Sequence, residues 1–112
     1  MKALFVELPP FERYRQDYLN DNQYRELQDF LLESPKAGAV ITGTGGLRKL
    51  RHGDKARGKG KRGGLRIIYY WYDGKNQFWL FTIYDKDEMD DLTQKEQKAL
   101  SELLNKELRT RK

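Results

Sequence analysis

Nine of the chain's 22 lysines and arginines, but only one of its 17 acids, fall between Leu47 and Arg66. They are Arg48, Lys49, Arg51, Lys55, Arg57, Lys59, Lys61, Arg62 and Arg66, and the acid is Asp54. The whole chain carries +5, so everything outside this stretch is net acidic and the positive charge is a local device. A fixed group of guanidinium and ammonium ions suits one reaction class in particular. Attack of a ribose 2′-hydroxyl on its neighbouring phosphate builds negative charge on phosphorus and on the leaving oxygen, and nearby cations stabilise that charge without a metal. A lysine or tyrosine set among such cations is expected to have a lowered pKa and to move protons.

Other catalytic inventories are missing. A single histidine, His52, rules out a two-histidine ribonuclease pair, and with no cysteine there is neither thiolate chemistry nor disulfide. There is no nucleophile elbow and no Ser/His pairing. Asp85, Asp87, Glu88, Asp90 and Asp91 precede a helix, where acids complement the dipole and face water, so they do not read as a metal site. No cofactor is expected. The pI near 9.4 with clustered charge favours a polyanionic partner, of which nucleic acid is the commonest.

The elements that must position these groups follow from periodicity and punctuation. Lys2 to Leu8 alternates loosely as a first strand, and Pro9-Pro10 stops it. Phe11, Tyr14 and Tyr18 recur at helical spacing. Asn20 with Gln23 caps a second helix carrying Tyr24, Leu27, Phe30 and Leu31, which Ser34-Pro35 ends. Ala39-Val40-Ile41 is a weak extended run, and Thr42 to Gly46 is a turn that lacks the Gly-Lys-Ser/Thr of a phosphate loop. Leu47 to Arg51 is the next strand, on which Lys49 and Arg51 share one face about 7 Å apart.

His52 to Gly64 has no apolar residue but Ala56, so it reads as a mobile basic loop. Its Lys59, Lys61 and Arg62, with Arg48, suit gripping an RNA backbone, because mobile side chains make poor preorganised catalysts. Arg66 to Tyr72 is a central strand, Asp73-Gly74 a hairpin signal, and Gln77 to Tyr84 the partner strand. Tyr69, Tyr70, Trp71, Phe78 and Trp79 read as core. Thr93 and Glu96 form a capping box for a last helix with Leu100, Leu103, Leu104 and Leu108 on its apolar face. The expected fold class is α+β: one domain over 1–112, a small mostly antiparallel twisted sheet packed with an N-terminal helical hairpin and a C-terminal helix. A length of 112 residues suffices for one core. The start lacks a signal-peptide pattern and no segment approaches a membrane span, so the expected location is the cytoplasm, with no membrane partner.

The run GTGGLRKLR…GKGKRGGLRIIYY, with TIYDKDEMDDL after the next strand, resembles the RelE/ParE toxin superfamily, and within it the HigB-type toxins. The resemblance covers nearly the whole chain. It implies a RelE-like fold and a ribosome-dependent endoribonuclease that cuts mRNA in the ribosomal A site and inhibits translation. The implied partners are the 70S ribosome with mRNA and a cognate helix-turn-helix antitoxin, with operator DNA reached only through the antitoxin complex. By position, the resemblance puts the strand's basic pair on Lys49 and Arg51 and the phosphate-contacting arginine on Arg66. It puts a leaving-group or base-side lysine on Lys86, and on Tyr84 a side chain that stacks on a base or orients the phosphate. The chain departs from the pattern at Asp87, where many relatives carry a second basic residue, and in having no C-terminal tyrosine beyond Tyr84. Two rival readings use the same scaffold or charge: a ParE-like inhibitor that blocks DNA gyrase by binding, and a nonspecific RNA-binding module.

Overall fold

The computed structural model describes residues 2–53, 64–89 and 91–111. The basic loop expected at about 52–64 therefore lies mostly outside the described residues, as do Lys59, Lys61 and Arg62. The described elements run β1 (Leu4–Glu7), α1 (Pro9–Tyr18), α2 (Asp21–Glu33), β2 (Ala39–Val40), β3 (Arg48–His52), β4 (Leu65–Tyr72), β5 (Gln77–Asp85) and α3 (Gln94–Thr110). They build one five-stranded sheet in the order β1-β5-β4-β3-β2, antiparallel throughout except for the parallel β1–β5 pair. This is the α+β class expected from the sequence.

The helices start where their caps dictate. In α2 the Asn20 side chain accepts from the Gln23 amide at 2.8 Å while Gln23 accepts from the Asn20 amide at 2.9 Å. Thr93 and Glu96 do the same for α3. Pro9 and Pro10 do more than end a strand: they occupy the first two positions of α1, where a missing N–H costs nothing and a fixed φ already suits the helix. The weak extended run becomes a two-residue edge strand, β2. The β4–β5 connection is a short 3-10 turn closed by Asn76 in the left-handed region at φ 52°, longer than a two-residue hairpin.

Helices cover both faces of the sheet. On one, Phe11, Leu27 and Leu31 pack against Ile67, Tyr69, Phe78 and Leu80. On the other, Leu100 and Leu104 of α3 pack against Leu47, Ile68, Trp79 and Phe81. The turn before β3 is fixed to α3, because Ser101 Oγ donates to the Thr44 carbonyl at 3.0 Å. A register shift between Ile68 and Tyr69 sets Thr82 opposite Ile68 but Leu80 opposite Tyr69, so β5 carries one extra residue. The extra residue reverses the alternation. Phe78 and Leu80 face α1 and α2, yet Tyr84, in phase with them along the sequence, lands on the α3 face.

Candidate functional site

The bulge decides which residues meet. Beyond it, Arg66 pairs with Tyr84 across β4–β5 and with Arg51 across β3–β4. Residues directly opposite share a face, so Arg51, Arg66 and Tyr84 form one row across three strands. Lys49, two residues before Arg51, stands on the same face opposite Ile68. Arg51 and Arg66 thus stand directly opposite one another and set two cations side by side on this face.

Each member is held differently. Arg66 is only 4% exposed, and its Nη1 donates to the Gly64 and Leu65 carbonyls at 3.3 and 3.4 Å, which fixes the guanidinium against its own strand. The Gly64 carbonyl also accepts from the Lys86 amide at 3.4 Å, tying the turn after β5 to the start of β4. Lys86 itself is exposed in that turn. The turn is shaped by Asp85, which is fully buried: its Oδ1 accepts from the Asp87 amide at 2.8 Å, and its carbonyl accepts from the Glu88 and Met89 amides. Asp85 is thus a structural acid inside the domain and not the solvated dipole complement expected from sequence.

Asp91 is the residue the sequence reading missed. Its carboxylate lies 3.4 Å from Lys49 Nζ and accepts from the Tyr84 hydroxyl at 3.5 Å. Burial alone would raise its pKa. The Leu92 amide, the Lys49 charge and the Tyr84 hydroxyl outweigh burial and hold the carboxyl below its usual range. Tyr84 moves the other way: burial and the Asp91 charge push its phenol up to about 12, against the lowering pull of Arg66. The expectation of a tyrosine acidified by its cationic neighbours is therefore overturned, because burial and a carboxylate outweigh the arginine. At neutral pH Tyr84 is a hydrogen-bond donor and no base.

Arg48 does not join this group. It alternates to the opposite face, opposite Tyr69, and its Nη1 donates to the Gly38 and Lys36 carbonyls at 2.7 and 3.2 Å. Its guanidinium thus pins the segment ahead of β2 instead of facing an RNA surface with Lys49. Beside the row, Tyr14, Tyr18, Met89 and Leu92 line a cleft of about 410 Å³ with Glu88 and Glu96 on its walls. Among the described residues no group of three or more His, Cys, Asp or Glu side chains is placed to hold a metal ion, and no helix is long and apolar enough to cross a membrane.

What the arrangement can do is electrostatic. Arg51 is exposed and Lys49 half-buried on this face, the buried Arg66 guanidinium lies beneath them, and Tyr84 adds a neutral donor beside them. Such a surface fits a phosphodiester and the extra charge it takes on when attacked.

No protein family model matches the chain. Its fold is similar to that of the isolated E. coli RelE toxin, at 16% identity over 91% of this chain and 99% of that one, with a TM-score of 0.50. A chain of the intact E. coli RelBE toxin–antitoxin complex is also similar, at 18% identity, covering 73% of this chain and 94% of that one, again with a TM-score of 0.50. In fold, the chain is RelE-like.

Proposed function

We propose that the protein is the toxin of a type II toxin–antitoxin pair, a ribosome-dependent mRNA endoribonuclease that cuts in the ribosomal A site and so inhibits translation. The observation that carries this reading is the row Arg51–Arg66–Tyr84 with Lys49 beside it, on one face of a RelE-like sheet. In the reaction a 2′-oxygen forms a bond to phosphorus, the bond from phosphorus to O5′ breaks, and a 2′,3′-cyclic phosphate and a 5′-hydroxyl result. The 2′ proton passes to a base and O5′ takes one up. Arg66 and Arg51 hold the non-bridging oxygens, Lys49 and the Tyr84 hydroxyl support them, and Lys86 serves the leaving-group or base side. Charge stabilisation by fixed cations makes a metal unnecessary. Lys59, Lys61 and Arg62 contribute backbone grip. A cognate antitoxin holds the toxin inactive, a partner supported by the antitoxin-bound state in which the similar RelBE complex was crystallised.

Mapping 5′ ends of messages in a translating extract tests the proposal. Parent protein gives new 5′-hydroxyl ends within reading frames and cuts naked RNA poorly. Arg66→Ala loses cleavage by about 100-fold or more, the usual cost of removing one charge-stabilising donor. A phosphorothioate at the cut site shows no rescue by thiophilic cations. Intact messages together with failing DNA supercoiling would favour the gyrase-inhibitor reading and defeat this one.

A further inference from the structure

We infer that the Asp91 carboxylate occupies the seat of a substrate phosphate, an internal anion that RNA must displace to engage Lys49 and Tyr84. The inference rests on reading this face as a phosphate-binding surface. Two strands that are not neighbours send side chains to the same carboxylate: Lys49 from β3 at 3.4 Å and Tyr84 from β5 at 3.5 Å. Asp91 therefore bridges the sheet over β4, the strand that carries Arg66. A carboxylate and a phosphodiester offer the same thing to such donors, charged acceptor oxygens in a compact group.

The geometry is that of a displaceable occupant. Charge-assisted bonds settle near 2.7–2.9 Å, so separations of 3.4 and 3.5 Å leave both donors short of their best partner. Lysine has three donor hydrogens, so Lys49 can begin to meet an incoming oxygen before it releases Asp91. The Asp91 side chain is 56% exposed, and its short bond, 2.8 Å, is to the amide of the next residue, Leu92. It can swing into water without leaving a buried cavity behind. Ion pairs this exposed are weak, and a polyanion that also meets the exposed Arg51 outcompetes one carboxylate. Asp91 thereby sets a threshold: isolated phosphate groups and short oligonucleotides compete poorly, while a message held at several points displaces it.

The test is a double-mutant cycle read by binding of a 2′-O-methyl RNA oligonucleotide, which cannot be cleaved. Asp91→Asn binds about two- to fivefold more tightly than the parent, the scale of an exposed ion pair. Its salt dependence is steeper by roughly 0.7 in the logarithmic slope for each additional phosphate that the protein neutralises. Lys49→Gln weakens binding more in the Asp91→Asn background than in the parent, because the lysine is then fully available. Binding by Asp91→Asn that equals or falls below the parent overturns the inference while leaving the site reading intact. Equal binding by parent and Lys49→Gln overturns the reading of the face as an RNA surface. Asp91→Ser, which keeps a short acceptor for the Leu92 amide, repeats the comparison; if neither variant folds, Asp91 is a structural cap and the inference fails.

Discussion

Tyr69 and Tyr84 are both buried tyrosines on adjoining central strands, yet they face opposite ways and end in opposite surroundings. The Tyr69 hydroxyl accepts from the Gly38 amide at 3.0 Å and donates to the Pro35 carbonyl at 2.8 Å, so its polar capacity is spent on neutral backbone. The Tyr84 hydroxyl meets a carboxylate at 3.5 Å on a face that also carries Arg51, Arg66 and Lys49. The same contrast separates two arginines of one strand. Arg48 closes onto carbonyls on the Tyr69 side, whereas Arg51 is exposed opposite Arg66. One face closes its polar atoms onto neutral backbone, while the other gathers Lys49, Arg51, Arg66 and the Asp91 carboxylate around Tyr84. Identical residue types therefore predict different losses according to the face they occupy.

The contrast can be broken in order of effect. On the cationic face, Arg66→Ala costs about 3 kcal/mol of transition-state stabilisation by loss of a preorganised donor, and single-turnover cleavage on programmed ribosomes measures it. On the closed face, Tyr69→Phe leaves the Gly38 amide and Pro35 carbonyl without their partner and costs about 1–3 kcal/mol of stability. Cleavage per folded molecule stays at the parent level, as urea unfolding and rate together would show. Gly38→Ala acts on the same spot: a Cβ there would come within 2.8 Å of Tyr69 Cε1 and 3.1 Å of the Lys49 backbone, an overpacking cost of about 1–3 kcal/mol. Tyr84→Phe reverses the pattern. Its rate falls about tenfold, while thermal unfolding moves only a few degrees because the lost hydrogen bond is long.

The broadest effect is alkaline. Burial, with hydrogen bonding to Glu88, pushes Tyr18 up to about 12, and burial with the Asp91 charge takes Tyr84 to a similar value. A phenol whose folded pKa exceeds its unfolded value of about 10 is charged first in the unfolded chain. Its contribution to stability is complete below about pH 10 and is lost as pH rises toward 12. Thermal unfolding temperatures should fall over that window, and Tyr84→Phe should show a shallower fall than the parent.

Much of this was legible in the sequence. Asn20 with Gln23 and Thr93 with Glu96 announced two helix starts because a capping box is a local chemical pattern that needs no tertiary information. The strand carrying Arg66 was readable from its run of β-branched and aromatic residues. The placement of Arg48 was legible in principle, since a period of two sets it opposite to Lys49 and Arg51. Other features were not. Nothing local in Phe81-Thr82 marks an extra residue, yet that residue decides whether Tyr84 faces Arg66 or the α1–α2 core. Asp91 looks like any acid before a helix, and only the fold brings it to Lys49, 42 positions away. Asp85 is buried for the same kind of reason, at a strand end that sequence alone marks as polar.

The most direct test of two faces with two roles is to compare Arg66→Ala with Arg48→Ala in single-turnover cleavage of message on programmed ribosomes, each rate corrected for the folded fraction. Arg66→Ala is expected to lose about 100-fold or more, while Arg48→Ala unfolds more readily but cuts at the parent rate. Equal losses in the two variants, or an Arg66→Ala protein that cuts like the parent, would contradict it.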